Sequence, residues 1–213
     1  LKGKYRVLEP LGTGSMGSVY LAEHTTLQKK FALKVLHREL QLGDEALRRF
    51  QREGVAAGKI SHRNAIQIFD FDQSKDGTTF LAMEYVDGRS LRQVIQEDGT
   101  LSPARGIDLV CQLLETLAAA HAEGVVHRDL KPENLMVVEE ADGSESLKVL
   151  DFGLSKLVDR RAEASLQTMV GKVMGTPLYM SPEQWNGDEV DARSDLYSAG
   201  LVLYELLSGV QPF

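Results

Sequence analysis

The chain contains 213 residues, of which 43 % are hydrophobic and 26 % are charged, a composition that is typical of a folded globular protein. Its formal net charge of −7 argues against a nucleic-acid-binding protein, because such proteins usually present a basic face to the phosphates. The single cysteine, Cys111, excludes an internal disulfide, and its apolar neighbours predict a buried, inert thiol, as expected in a reducing cytoplasm.

The first third of the chain is predicted to form strands. Short segments rich in β-branched and aromatic residues, separated by turn residues, cover residues 5–12, 17–24 and 29–36. Residues 65–71 and 78–83 then predict a hairpin, because a turn-forming Ser-Lys-Asp-Gly sequence lies between them. This part of the chain is therefore expected to form a sheet.

A helix is predicted between the third and fourth strands, from an N-cap at Asp44 to about residue 59. Leu47, Phe50 and Ala57 fall on one face of this helix, at the spacing that turns apolar side chains toward a core. Glu53 lies on the same face. Because a carboxylate turned toward a core requires a cation, a basic partner is expected close to Glu53.

Helices dominate after Asp87. Ser102 and Pro103 are an N-cap and a proline at the first helical position, and the helix that they open is expected to end near Gly124. Its apolar face is predicted from four residues at helical spacing, namely Ile107, Val110, Leu114 and Leu117.

Short strands are expected near residues 125–126, 135–138 and 147–150, and a loop-rich stretch then leads to a final apolar helix over residues 192–208. Strands thus come first and helices later, with a hinge near residues 84–88. This order predicts an α+β fold with two lobes.

A glycine-rich loop, residues 12–19 (GTGSMGSV), lies between the first two strands. Glycines let a backbone turn tightly and point its N–H groups at phosphates. In a dinucleotide-binding protein this loop would open a helix, whereas here a second strand follows and Lys34 appears on the third strand. A lone lysine after an apolar run is usually an edge residue, but its combination with the glycine loop and Glu53 favours phosphate binding.

The most specific pattern is residues 127–134 (HRDLKPEN), which an Asp-Phe-Gly triplet beginning at Asp151 follows. Phosphoryl transfer requires metal ligands, a carboxylate that orients or deprotonates the attacking hydroxyl, and cations that face the developing charge. Asp129, Lys131, Asn134 and Asp151 supply these groups. A single loop aspartate is usually a cap or a turn former, but the joint pattern is too specific for that interpretation.

At these residues the sequence resembles the protein kinase family, whose signature combines these motifs. The resemblance runs from the glycine loop to Phe213. Lys131 and residues 175–183 (GTPLYMSPE) are similar to the serine/threonine branch and to bacterial kinases of the eukaryotic type. The resemblance implies a two-lobed kinase fold. Its ATP-binding N-lobe, an antiparallel sheet plus one helix, would span residues 1–86, and a mainly helical, truncated C-lobe would span residues 87–213.

The resemblance also implies the catalytic roles. Asp129 would accept or orient the substrate hydroxyl, and Lys131 would steady the γ-phosphate. Lys34, held by Glu53, would contact the α- and β-phosphates. Thr176 would brace Asp129 and Lys131, which belong to the catalytic loop (residues 127–134), and help to select serine or threonine.

Asn134 and Asp151 would hold Mg²⁺, for which Mn²⁺ could substitute, and Asp195 would accept hydrogen bonds from the backbone of the catalytic loop. The residues that would contact ATP belong to the glycine loop, the third strand, the hinge and the catalytic loop: Leu11, Gly12, Thr13, Gly14, Ser15, Met16, Gly17, Val19, Ala32, Lys34, Met83, Glu84, Val86 and Asn134.

The expected partners are proteins that carry serine or threonine, and a kinase dimer for phosphorylation in trans. Arg128 would pair with a phosphorylated residue of the activation loop, which would lie between Asp151 and Glu183; Thr168 is the first candidate and Ser165 the second. Glu133 suggests a preference for a cationic side chain near the acceptor. Residues 200–207, the longest strongly apolar stretch, are too short to span a bilayer, so membrane attachment of a longer protein is not visible here.

The sequence departs from the family pattern at two motifs, the strand motif Phe-Ala-Leu-Lys that ends at Lys34 and the Ala-Pro-Glu motif. Ser181 replaces the usual alanine of the Ala-Pro-Glu motif. Both ends of the chain look cut, and Glu183 would lose an arginine partner that lies beyond Phe213. We therefore expect a buried, unpaired carboxylate that costs roughly 3–5 kcal/mol and leaves residues 1–213 poorly stable or weakly active.

Two alternative functions share this fold or chemistry. A pseudokinase scaffold would lack one of the four chemical groups at Lys34, Asp129, Asn134 and Asp151, yet all four are present. A small-molecule kinase would share the phosphate chemistry, but residues 175–183 favour a site for an extended peptide.

Overall fold

The computed structural model describes residues 3–14, 17–37, 51, 54–74, 76–152 and 177–211. The chain divides into two compact units. The first unit comprises Leu1–Gly58 and Gln67–Val86, and the second comprises Lys59–Ile66 and Asp87–Phe213. The sequence-based division kept residues 59–66 with the first domain. They pack with the second because Ala65 forms a parallel bridge to Val149, and the Ile66 N–H donates to the Val149 carbonyl at 3.0 Å.

The first unit contains a five-stranded antiparallel sheet with strand order β1-β2-β3-β5-β4. The strands are β1 (Tyr5–Thr13), β2 (Gly17–His24), β3 (Lys30–Leu36), β4 (Ile68–Gln73) and β5 (Thr79–Glu84). The five predicted strands are therefore confirmed. The fourth begins three residues later than expected, because Ala65 is bridged to Val149 instead.

One face of this sheet forms a buried apolar cluster. Its members come from four strands: Tyr5, Ala22, Phe31, Leu33, Phe80 and Ala82. The rings of Phe31 and Phe80 meet the Tyr5 ring edge to face, with centroids 5.8 and 5.9 Å apart. Because side chains alternate along a strand, the residues between these core positions point to the opposite face, where Lys34 lies.

The helix predicted after Asp44 is described only in part. Residues 54–57 are helical. Gly54 is buried against Leu81, since a Cβ built on Gly54 would lie 3.6 Å from the Leu81 side chain. The predicted N-cap and the side chain of Glu53 lie outside the described residues.

The second unit combines a three-stranded antiparallel sheet with helices. Its strands are β6 (Arg89–Ser90), β7 (Leu135–Glu139) and β8 (Glu145–Val149), and its helices are α1 (Leu91–Asp98), α2 (Pro103–Ala122), α3 (Pro182–Asn186) and α4 (Ala192–Ser208). Short 3₁₀ turns occupy Pro132–Asn134 and Pro177–Tyr179. The strand predicted at residues 125–126 is irregular, whereas β6 was not predicted because it has only two residues.

Helix α2 begins as predicted, with the Ser102 hydroxyl capping the Arg105 N–H, but its buried face is rotated from the predicted one. Ile107 and Leu114 are exposed, and so is Cys111, which contradicts the predicted buried thiol. The helix turns a stripe centred on Leu109, Leu113 and Leu117 inward instead. Apolar residues at helical spacing were present on two adjoining faces, so periodicity alone could not choose between them.

A cluster of surface charges joins α1, α2 and β8. The Arg105 guanidinium donates to both Glu145 oxygens at 2.7 Å and to Asp98 at 2.9 Å, and Arg89 reaches Asp98 at 3.0 Å. Hydrogen bonds from Arg89 and Arg105 lower the pKa of the Asp98 carboxyl below its ordinary value. A carboxyl with a lowered pKa stabilises the fold above its unfolded-state pKa, and that contribution is lost as the pH falls through the folded-state pKa.

We therefore expect Asp98→Asn to lower the melting temperature slightly at pH 7 and to have a smaller effect as the pH is lowered toward 3, because the wild-type carboxyl then begins to be protonated. Thermal melts at the two pH values check this. The control is Asp188→Asn, at an exposed position. An equal destabilisation by Asp98→Asn at both pH values would contradict the electrostatic explanation.

Candidate active site

The carboxylate of Asp129 is held by two neighbours in its own loop. The Lys131 ammonium donates to both Asp129 oxygens, at 2.9 and 2.8 Å. The Asn134 amide nitrogen donates to the Asp129 carbonyl at 2.7 Å and to its carboxylate at 3.1 Å. The Asp129–Lys131 pair remains partly exposed, so the carboxylate is accessible to a reactant while its orientation is restricted.

A buried carboxylate on α4 anchors the backbone of the two residues that precede Asp129. Asp195 accepts hydrogen bonds from the N–H groups of His127 at 2.8 Å and Arg128 at 2.9 Å. His121 on α2 donates from Nε2 to the same carboxylate at 2.7 Å. The predicted role of Asp195 is therefore confirmed, and His121 is an additional partner that was not predicted.

The catalytic loop and the end of β8 are hydrogen-bonded to each other. The Leu150 N–H donates to the Asn134 carbonyl at 2.9 Å, and His127 donates from Nε2 to the Leu150 carbonyl at 2.7 Å. The ring of Phe152, which is buried, lies 5.0 Å from that of His127. These contacts hold Asp151 beside the loop that carries Asn134.

Two of these residues adopt a backbone conformation that is unfavourable for a side chain. Arg128 has a φ of 69° and Asp151 a φ of 56°. Such left-handed residues cost on the order of 1–3 kcal/mol and tend to occur at functional sites. The N–H of Arg128 donates to the buried Asp195 carboxylate, and this hydrogen bond fixes Arg128 in this conformation.

Strand β8 is itself anchored from within the second unit. The buried Asn64 donates to the Leu147 carbonyl at 2.5 Å and to Gln112 at 3.1 Å, and the Val149 N–H donates to the Asn64 carbonyl at 2.7 Å. These bonds satisfy backbone polar groups of the strand that leads to Asp151. Neither Asn64 nor Gln112 was predicted, because no local motif distinguishes a buried amide.

Ser181, the departure from the Ala-Pro-Glu motif, has a structural role. Its hydroxyl accepts from the Gln184 N–H at 3.4 Å, and the Gln184 side chain accepts from the Ser181 N–H at 3.1 Å, a capping box that opens α3. Gln184 also donates to the Arg128 carbonyl at 2.7 Å. The segment after residue 176 is thereby attached to the catalytic loop.

The expected burial of Glu183 is wrong. Its side chain is half-buried, and the Ser194 hydroxyl donates to it. This hydrogen bond lowers the pKa of the Glu183 carboxyl. The penalty of a buried, unpaired charge therefore does not apply to this residue.

In the first unit, the sheet places several predicted ATP-binding residues on one face. Val19 and Leu81 lie opposite Lys34 in the registers of β2, β3 and β5, and Met83 lies opposite Ala32. Directly paired residues of an antiparallel sheet project from the same side. Lys34 is buried, with 7 % of its surface exposed, as are Ala32 and Met83.

The glycine loop joins β1 to β2 in a hairpin. The Gly14 N–H donates to the Gly17 carbonyl at 2.9 Å, and the hydroxyls of Thr13 and Ser18 are 3.2 Å apart. A Cβ on Gly17 would lie 2.1 Å from the Val35 carbonyl oxygen, so only glycine allows β2 to approach β3 at this point.

The remaining predicted residues fall in three groups. In the first group, Gly12 pairs with Val19, and Leu11 is exposed beside it. In the second, Glu84 ends β5 and Val86 follows it in the hinge, and both are half-buried. The third group lies outside the described residues and comprises Ser15, Met16, Glu53, Ser165, Thr168 and Thr176.

A second group of charges, which was not predicted, lies beside the catalytic loop. The Arg92 guanidinium on α1 donates to Glu205 at 2.5 Å, to the Tyr179 hydroxyl at 2.7 Å and to Glu133 at 2.9 Å. The Tyr179 hydroxyl also donates to Glu205. Burial and this hydrogen bond raise the pKa of Tyr179. Glu205 interrupts an otherwise apolar helix, and this interruption is the sequence signal that could have indicated its burial.

The described residues contain no cluster of three or more histidine, cysteine or acidic side chains arranged to hold a metal ion. Within the same residues, no helix combines the length and the apolar character that crossing a membrane requires. A metal site formed by Asp151 and Asn134 would contain only one acidic side chain, so it would not count as such a cluster.

Comparisons with known proteins identify the family. A model of the protein kinase domain matches residues 5–213. Serine/threonine-protein kinase pkn3 of Myxococcus xanthus is 45 % identical over 210 residues, which cover 99 % of this chain and 38 % of that protein. Serine/threonine-protein kinase PknB of Mycobacterium leprae is 37 % identical over 216 residues, which cover 100 % of this chain and 34 % of that protein.

The chain thus spans little more than a third of the length of these two relatives. A solved structure is also similar: the kinase domain of Mycobacterium tuberculosis PknI has a TM-score of 0.75 and 29 % sequence identity, covering 100 % of this chain and 79 % of that one. The matches confirm the predicted fold and its resemblance to the bacterial serine/threonine branch. The chain belongs to the protein kinase family.

Proposed function

We propose that the protein transfers the γ-phosphate of ATP to serine and threonine hydroxyls of other proteins. The observation that carries this proposal is the geometry around Asp129, whose carboxylate is oriented by Lys131 and Asn134 and remains accessible. A carboxylate in this state can accept or orient the proton of an attacking hydroxyl.

Asn134 and Asp151 fit a divalent metal ion. Their side chains offer amide and carboxylate oxygens, which are the ligands that Mg²⁺ prefers. The Asn134 amide nitrogen already donates to Asp129, so the amide oxygen is the atom that this residue would offer. We propose Mg²⁺ as the ion, with Mn²⁺ as a substitute, and its charge would neutralise the phosphate oxygens when bound.

ATP would bind through residues of the first unit. The Lys34 ammonium would contact the α- and β-phosphates, and Glu53 would hold Lys34. The backbone of the glycine loop would cover the phosphates, while Ala32, Met83 and the backbone from Glu84 to Val86 would contact adenine. In support of this assignment, the sheet registers place Lys34 and Ala32 on the same face as Val19 and Met83.

A substitution of Lys34 tests this assignment. We expect Lys34→Met to lower kcat/KM for ATP by roughly 10²-fold or more, because the phosphates lose a buried cation. Steady-state phosphorylation of a generic protein substrate measures it. The control is Lys29→Met, which removes an exposed lysine just before β3. Equal activities of the wild-type protein and Lys34→Met would overturn the assignment.

The remaining parts of the proposal concern partners and regulation. Thr176 would brace Asp129 and Lys131. Phosphorylation within the activation loop, at Thr168 or Ser165, would proceed in trans between two kinase copies in the cytoplasm. Site mapping after incubation with ATP tests this, and phosphate found nowhere between Asp151 and Glu183 would contradict it.

A further inference from the structure

Arg92 donates hydrogen bonds from all three of its guanidinium nitrogens inside the second unit. Its Nε donates to Glu133, Nη1 to Glu205 and Nη2 to the Tyr179 hydroxyl, at 2.9, 2.5 and 2.7 Å. The three acceptors come from three separate parts of the chain, the catalytic loop, α4 and the 3₁₀ turn at Pro177–Tyr179. Together they form a receptor for one guanidinium group, which we call the carboxylate pocket.

The carboxylate pocket is strongly acidic without Arg92. Glu205 has only 2 % of its side chain exposed, and Glu133 is 47 % exposed, so one wall is buried and the other faces solvent. A buried carboxylate requires a paired cation, and a planar guanidinium matches a carboxylate better than an ammonium does. An arginine from any source could fill this pocket, and here the chain supplies its own.

The carboxylate pocket also lies next to the proposed acceptor site. Glu133 sits between Lys131 and Asn134, the two residues that hold the Asp129 carboxylate. Tyr179 belongs to the segment that we expect to receive an extended peptide. When the hydroxyl of a substrate reaches Asp129, the substrate residues next to the phosphorylated one would therefore lie beside Glu133, on the solvent-exposed side of the pocket.

We propose that Arg92 is a specificity-determining residue, which occupies the carboxylate pocket from within the chain and so keeps a basic side chain of the substrate out of it. This inference rests on the proposed kinase function. It replaces the sequence-based expectation that Glu133 selects a cationic side chain, because Arg92 already pairs with that carboxylate. The selection of substrates must then depend on other contacts.

The test is an arginine scan of a peptide substrate with the full-length protein. Peptides that differ only by alanine or arginine at single positions beside the acceptor are compared by kcat/KM. For the wild-type protein we expect ratios within about threefold at every position, which corresponds to less than about 1 kcal/mol. For Arg92→Gln we expect a preference for arginine of about tenfold or more at one position, expressed in KM rather than kcat.

Matched variants show whether the new arginine preference arises from the loss of the Arg92–Glu133 pair. Arg89→Gln makes the same substitution at an exposed arginine that pairs with Glu97 and Asp98, and it should keep the flat profile. Adding Glu133→Gln to Arg92→Gln should remove the new preference, whereas Arg92→Lys should restore most of the flat profile. A merely structural role of Arg92 would lower stability or kcat without creating a preference at one peptide position.

Each outcome decides the proposal. An active Arg92→Gln protein with a flat profile would overturn it. If Arg92→Gln does not fold, the wild-type scan still decides: a flat profile supports the proposal, and an arginine preference that Glu133→Gln abolishes would refute it. A wild-type protein that phosphorylates no peptide or protein would overturn the proposed function and this inference with it, whereas an active kinase with an arginine preference would overturn only the inference.

Discussion

Asp129→Asn is expected to lower kcat by roughly 10³-fold, because an amide cannot accept the proton of the substrate hydroxyl. This loss corresponds to about 4 kcal/mol of transition-state stabilisation. The side chain of Asp129 is 44 % exposed and asparagine has nearly the same shape, so the fold should persist. Single-turnover phosphoryl transfer measures the effect on the chemical step, and thermal melts check the fold.

The matched control is Asp142→Asn, the same substitution in an exposed turn before β8. Asp142 accepts hydrogen bonds from the N–H and hydroxyl of Ser144, at 2.9 and 2.6 Å, in the turn between β7 and β8. This variant should retain the wild-type rate. If Asp129→Asn transferred phosphate as fast as Asp142→Asn, the role assigned to Asp129 would be wrong.

Asp195→Ala is expected to lower the free energy of unfolding by about 3–5 kcal/mol, the largest stability effect that we predict. The Asp195 side chain is 1 % exposed and accepts from two backbone N–H groups and from His121. Alanine would leave these donors buried without an acceptor. Since the same N–H groups fix the backbone in front of Asp129, kcat should fall as well. Urea denaturation and steady-state kinetics measure the two effects.

Asp191→Ala serves as the control on the same helix. Asp191 is the exposed N-cap of α4, whose carboxylate accepts from the Arg193 N–H at 2.8 Å, and the loss of a cap costs about 1 kcal/mol. Asp195→Asn, which keeps one acceptor oxygen, should fall between the two alanine variants in stability. The assigned role requires a larger loss for Asp195→Ala than for Asp191→Ala, and equal losses would contradict it.

Local signals account for the parts of the fold that the sequence predicted. The final helix was predicted at residues 192–208 from its apolar character, and the structure places α4 there, with Asp191 as the N-cap and Gly209, which has a φ of 71°, after its end. Strand β2 was predicted over its full length between two turn-forming segments. Asp195 was assigned as an acceptor through the family resemblance rather than through its local sequence, and the hydrogen bonds confirm that assignment.

Contacts between distant residues that belong to no family motif could not be predicted. Arg92 and Glu205 are 113 positions apart, and neither belongs to a motif that names its partner. The rotation of α2 that exposes Cys111 depends on what packs against the helix, which apolar periodicity does not contain. Glu183 was expected to be buried by analogy, whereas its actual partner, Ser194, lies 11 positions away on α4.

The most direct test of the account is to incubate the full-length protein with Mg²⁺, ATP labelled on its γ-phosphate and a generic protein substrate, and then to identify the labelled amino acids. We predict phosphoserine and phosphothreonine, formed only when Mg²⁺ is present and strongly reduced with Asp129→Asn. Label that appears only on tyrosine, or no transfer at all by the wild-type protein, would contradict the account.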